Sequence, residues 1–270
     1  MTQGNHSFGK LKIFGVALLK ILKESPHKNF NVLYEKGIGV PMIQNILEIF
    51  KSEIRNKIQG TSVIPLEEFT IFITYFENDA KDTIVIIYLD EKDNTSNYST
   101  LYLYSKKIRK ALSSDNSLSK IAQICDDAIE IPHAKGITGL YVILQSGVII
   151  FSKTRDSVSE KLQSDLLGGF ISALFSFSEQ VINGESGAKL KEINFGNQSF
   201  YTITKNNTIF TFLVTKMSPL LQRYMYIIVD KFLDKYEHNL KHFDGDLTRF
   251  HEFNDIVDQY FIIEKKDEEK

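Results

Sequence analysis

The alternation of apolar and polar positions is sharpest in the second half of the chain. Residues 139–153, G-L-Y-V-I-L-Q-S-G-V-I-I-F-S-K, predict two strands around a turn at Gln145–Gly147. Ser157 and Glu160 in S-V-S-E form a capping box, whose hydroxyl and carboxylate would satisfy orphan amides at a helix start. Apolar spacing carries that helix to about Ile182. Three further strands are expected in K-L-K-E-I-N-F, Q-S-F-Y-T-I-T and T-I-F-T-F-L-V-T, separated by the turn pairs Gly196-Asn197 and Asn206-Asn207. Ser218 and Pro219 supply an N-cap and a first-turn proline for a long helix to about Leu240. Leu221, Tyr224, Ile228, Phe232 and Tyr236 share one side of it. After Gly245 the pattern predicts one last helix to about Ile262.

The order β-β-α-β-β-β-α-α recurs less clearly in the first half. Strands are expected at Lys12 to Leu19, where a helix also fits the spacing, and at Asn31 to Tyr34. A helix spans Pro41 to Ile58, with Met42, Ile46, Phe50, Ile54 and Ile58 as its apolar stripe. Strands at Phe69 to Phe76 and Thr83 to Leu89 follow, both β-branched or aromatic. Helices at Leu101 to Leu112 and Leu118 to Ile129 close the half, and no fifth strand is evident. Pro132, Gly136 and Gly139 mark the boundary. The expected domains are therefore 10–131 and 136–263, followed by a charged tail at 264–270.

Composition changes this picture mainly by exclusion. Forty-three per cent of the 270 residues are hydrophobic and 24% charged, enough to bury proper cores. The net charge is −2, and neither half has the strong basic excess that a nucleic-acid partner would call for. The single cysteine, Cys125, excludes an intramolecular disulfide and fits a reducing, cytoplasmic compartment. The apolar run Ile13 to Leu22 is shorter than the roughly 20 residues a bilayer requires, so membrane contact would be peripheral at most.

The strand-helix order, with Gly139 to Lys153 followed by D-L-L-G-G-F-I-S-A-L-F-S-F, resembles the longin fold and its close relative the roadblock fold, in the form found in archaeal proteins of the trafficking type. The resemblance covers about Ile137 to Ile262 well and Lys12 to Ile129 loosely. It implies an α/β (α+β) protein of two tandem longin-like domains, each an antiparallel sheet with one helix on one face and two on the other. It also implies a non-enzymatic scaffold or regulator of a small GTPase or a membrane-trafficking complex. The partner would be a Ras-, Rab- or Arf-type GTPase or another longin or roadblock protein, bound as a homo- or heterodimer. Neither a coiled-coil heptad run nor a C-terminal membrane segment accompanies it, so membrane fusion is disfavoured. The alternative function is a regulatory domain that senses a small molecule held between sheet and helix.

Candidate chemistry is sparse, and no catalytic residue, cofactor or metal site is expected. His238 and His242 lie one turn apart with Asp244, Asp246 and His251 nearby, but H-E-x-x-H is absent and a solvated helix end explains them. Cys125 sits beside Asp126 and Asp127, which would raise its pKa and suit a structural role. The glycine pairs Gly168-Gly169 and Gly37-x-Gly39 lack the G-K-[ST] of a phosphate-binding loop. The run Lys106, Lys107, Arg109 and Lys110 lies on a helix and could touch an acidic partner or anionic lipid.

The helix with adjacent glycines stands apart, since each interior glycine costs about 1 kcal/mol relative to alanine. A helical projection puts Leu162, Leu166, Phe170, Leu174, Phe177 and Val181 toward the sheet. Asp165, Gly168, Gly169, Ser172 and Ser176 fall on the opposite side, flanked by Ile171 and Phe175. The seven residues Asp165, Gly168, Gly169, Ile171, Ser172, Phe175 and Ser176 are therefore the expected partner interface; the alternative is that the glycines make room for a bulky side chain from the same domain.

Overall fold

A computed structural model describes residues 10–22, 30–92, 94, 97–113, 118–154, 160–181, 191–195 and 198–263. The capping box at Ser157, the Gly196-Asn197 turn and the tail 264–270 lie outside these residues. The chain divides into two compact units, 1–132 and 133–270.

In unit 1 the strands are β1 (Leu11–Lys12), β2 (Gly15–Ile21), β3 (Phe30–Lys36), β4 (Gln59–Pro65), β5 (Phe69–Glu77), β6 (Thr83–Glu91) and β7 (Ile129–Glu130). Its helices are α1 (Val40–Asn56), α2 (Tyr98–Ser113) and α3 (Leu118–Ala128). Five strands form an antiparallel sheet in the order β3-β2-β6-β5-β4, while β1 pairs parallel with β7. The segment from Lys12 to Leu19 is thus not a helix: it runs from the end of β1 through a break at Ile13 and Phe14 into β2. Both sheet faces are covered, which explains the near-continuous apolar run in β6, T-I-V-I-I-Y-L. Ile71, Ile73, Val85 and Ile87 meet Ile43, Ile46 and Phe50 of α1. On the other face, the Tyr88 hydroxyl lies 3.1 Å from Ser105 Oγ of α2, and the Tyr34 hydroxyl donates to Asp126 of α3 at 2.7 Å.

Unit 1 therefore does contain a fifth sheet strand, contrary to the expectation from its sequence. β4 escaped because Q-G-T-S-V-I-P is an edge strand, with alternate residues exposed and a polar first half. Its pairing with β5 from Gln59↔Phe76 to Pro65↔Thr70 supplies what its local pattern does not.

Unit 2 contains β8 (Ala134–Leu144), β9 (Ile149–Thr154), α4 (Glu160–Val181), β10 (Glu192–Phe195), β11 (Gln198–Lys205), β12 (Thr208–Val214), α5 (Pro219–Lys241), α6 (Phe253–Asp258) and β13 (Phe261–Ile263). The order is β10-β11-β12-β8, with β9 and β13 sharing the far edge of β8. Asn206 and Asn207 both adopt positive φ in the β11–β12 turn, the conformation that a tight hairpin favours. The Ser218 side chain accepts from the Leu221 amide at 3.1 Å and caps α5.

The segment after Gly245 is not the single helix expected. A 3-10 turn at Thr248–Phe250 and α6 are followed by β13, which pairs parallel with the start of β8. Aromatic packing breaks the helix: Phe232 of α5 stacks on Phe250 at 5.7 Å and meets Phe253 edge-on at 4.9 Å, while Tyr260 packs on Tyr224 at 5.0 Å. The two units share one strand order, including a parallel pairing of the final strand with the start of the unit.

Candidate functional site

Unit 2 spends its large side chains on one face of its sheet. Phe151, Phe210 and Phe212 pack with Phe232, Phe253 and Phe261 on the α5 side. The α4 side holds a smaller cluster of Ile143, Ile171 and Ile209, with Tyr141, Ile149, Leu167 and Ile193 partly buried around it. α4 is thus the helix whose two faces must be told apart.

The close approach of the β8–β9 turn to α4 decides which face turns inward. Gly147 in that turn has φ +88°, and a Cβ at Gly168 would run into its carbonyl oxygen and come within 3.0 Å of Ile149 Cγ1. The Ser172 hydroxyl donates to the Gln145 carbonyl at 2.7 Å. Ile171, fully buried, fills the cluster between them. Gly168, Ile171 and Ser172 therefore serve an internal contact, and their assignment to a partner interface is corrected. The expectation erred because backbone proximity, rather than the greater apolarity of the other face, selects the side that meets the hairpin.

Of the remaining interface residues, Gly169 and Ser176 are exposed, and nothing would lie within 4 Å of a Cβ at Gly169. Asp165 and Phe175 are helical, but their side chains lie outside the description. Three of the residues expected to face the sheet point outward instead, Leu166 at 71% exposed, Phe170 at 44% and Phe177 at 61%, while Leu174 is half-buried. Ala173 is exposed between them. Leu166, Phe170, Ala173 and Phe177 follow spacings of four, three and four, which places them in one stripe about 17 Å long.

The other candidates resolve into structural roles or remain at the surface. Cys125 is buried, and burial, with Asp126 adding to it, pushes its thiol up to about 12. Asp90 is also buried, and desolvation raises its carboxyl. It accepts from the Asn97 side chain and the Glu91 amide, both at 2.8 Å, and so anchors the entry to α2. His238 and His242 approach to 4.9 Å between ring centroids, but the aspartates near them are engaged elsewhere. Asp244 and Asp246 bind Arg249 at 2.6 and 3.1 Å. Hydrogen bonds from the Asp246 amide and then from Arg249 hold the Asp244 carboxyl below the usual range. Among the described residues, no group of three or more His, Cys, Asp or Glu could hold a metal. No described helix is long and apolar enough to cross a membrane.

On α2, Lys106, Lys107, Arg109 and Lys110 are all exposed. Arg109 is turned to its own unit, donating to Gln59 Oε1 at 3.0 Å and lying 5.0 Å over the Phe76 ring. Unit 1 also contains a cleft of about 960 Å³ along α1, lined by Ile21, Phe30, Val32, Leu47, Lys51 and Ile54 among others.

No protein-family model matches the chain, and no curated protein does. Among solved structures, a Roadblock/LC7 domain from Streptomyces avermitilis aligns over 40% of this chain and 88% of that one, at 15% identity and a TM-score of 0.32.

Proposed function

We propose that this chain is a non-enzymatic protein-interaction module whose α4 outer face pairs with the same face of a second copy. The pair would act as a scaffold or regulator for a small GTPase of the Ras, Rab or Arf type, or for a trafficking complex. The observation that carries the reading is the exposed stripe Leu166, Phe170, Ala173 and Phe177. Large apolar side chains grouped in one patch favour a protein surface over solvent.

The spacing also suits self-association. Four, three and four reads the same in both directions, so two α4 helices related by a two-fold axis can align antiparallel. Leu166 of one copy then meets Phe177 of the other, and Phe170 meets Ala173, a large side chain against a small one. Gly169 and Ser176 flank the stripe and leave room for the backbones to approach. The longin and roadblock resemblance supplies the GTPase or trafficking end of the reading. Affinity capture with the wild-type chain and with Phe170→Glu tests it: a small GTPase recovered by the first and lost by the second supports the proposal. Equal recovery with both assigns the contact to another surface.

The cleft along α1, lined by apolar and polar side chains alike, favours one second reading, a sensor of a small molecule. Native mass spectrometry of the purified chain tests it, a bound metabolite of defined mass being the expected result.

A further inference from the structure

Helix α2 differs from α1 in the charges it presents. On α1, Lys51 pairs with Glu48 at 2.8 Å, and Lys57 just past its end pairs with Glu53 at 2.9 Å, the arrangement of an ordinary solvated surface. The α2 sequence, Y-S-T-L-Y-L-Y-S-K-K-I-R-K-A-L-S, has four cations and no acidic residue. Its inner face, Leu101, Ser105, Ile108 and Ala111, is buried. Lys106 and Lys107 take part in no ion pair among the described residues, and the Lys106 ammonium lies 4.6 Å over the Tyr102 ring.

Apolar side chains are exposed within the same cationic patch. Tyr102 is 47% exposed and Leu103 62%, one turn before Lys106 and Lys107, and Lys110 lies one turn further on. From this arrangement we infer that the outer face of α2 docks on an anionic membrane surface. Lysines held at the level of lipid headgroups gain from the negative surface potential. Leucine and tyrosine beside them reach the headgroup–acyl boundary while the lysine stems run along it. A bilayer offers both halves of this patch a partner at once, anionic headgroups for Lys106 and Lys107 and the acyl boundary for Leu103. Arg109 is excluded from the docking set, because Gln59 and Phe76 already engage it.

The chain has no tryptophan, so Leu103→Trp places a single fluorescent reporter on this face. Vesicles of phosphatidylcholine mixed with phosphatidylglycerol should sediment the full-length chain and shift that emission to the blue, and vesicles of phosphatidylcholine alone should do neither. Salt should abolish the difference as the screening length falls to about 3 Å near 1 M. The double variant Lys106→Gln, Lys107→Gln should partition about 25-fold more weakly, about fivefold for each lysine. Equal binding to both vesicle types, an unmoved emission, or wild-type partitioning of the double variant would overturn the assignment. So would poly-glutamate binding as tightly as the vesicles while Leu103→Ser changes neither, a result that assigns the face to an acidic polypeptide.

Discussion

Gly168 and Gly169 are neighbours in the chain with opposite tolerances. At Gly168 a Cβ would collide with the Gly147 carbonyl oxygen, a backbone atom held in a turn that cannot swing aside as a side chain would. Gly168→Ala should therefore destabilise unit 2 by about 1–3 kcal/mol despite the better helix propensity of alanine. Within its own chain Gly169 faces open space, so Gly169→Ala should stabilise the dissociated monomer by up to about 1 kcal/mol. Thermal denaturation of the two variants should show shifts of opposite sign. The sequence reveals that two glycines interrupt a helix, but not which one a neighbouring turn requires, since that depends on a contact with a residue about twenty positions earlier. Cys125 was more legible, its apolar helical neighbours and adjacent aspartates both pointing to an inert thiol. With its pKa near 12 and its side chain buried, it should resist disulfide-reagent titration at pH 8 until denaturant is added.

At the scale of elements, strands buried on both faces and helices with a single stripe are readable from pattern. β5, β6 and α1 lie within two residues of their expected limits. Edge strand β4 and terminal strand β13 are not readable in that way, because each is defined by a distant partner rather than by its own alternation. α4 fails for a different reason: it is apolar on two sides, and a projection ranks faces by hydrophobicity when shape decides between them. The inward side fits the β8–β9 turn through Gly168 and Ser172, which leaves the bulkier Leu166, Phe170 and Phe177 outside. The start of α5 is a simpler case, in which Ser218 and Pro219 announce the helix and the Ser218 side chain accepts from the Leu221 amide as that signature requires. Ser218→Ala should cost about 1 kcal/mol, seen as a lowered midpoint in urea denaturation with an unchanged slope.

At the scale of the whole molecule, one strand order is used twice with different allocations of apolar surface. Unit 1 buries Ile43, Ile46, Phe50 and Ile54 of α1 in a continuous cluster against the sheet, while Ile58, expected in the same stripe, lies past the helix and is exposed. Unit 2 concentrates its aromatic residues beneath α5 and α6 and leaves an apolar stripe on α4 exposed. That asymmetry gives unit 2 the interaction surface in this account, and α2 gives unit 1 a cationic one. Each unit has its own core, so residues 133–270 expressed alone should unfold in one cooperative transition by circular dichroism. Pairing of two copies through the α4 outer face would double the mass found by sedimentation equilibrium of the chain. The wild type should run at twice the 31.0 kDa of one chain at micromolar concentration, and Phe177→Glu, with its circular dichroism spectrum unchanged, at the mass of a single chain. A wild type that stays at 31.0 kDa, or a dimer that Phe177→Glu leaves intact, would contradict that pairing.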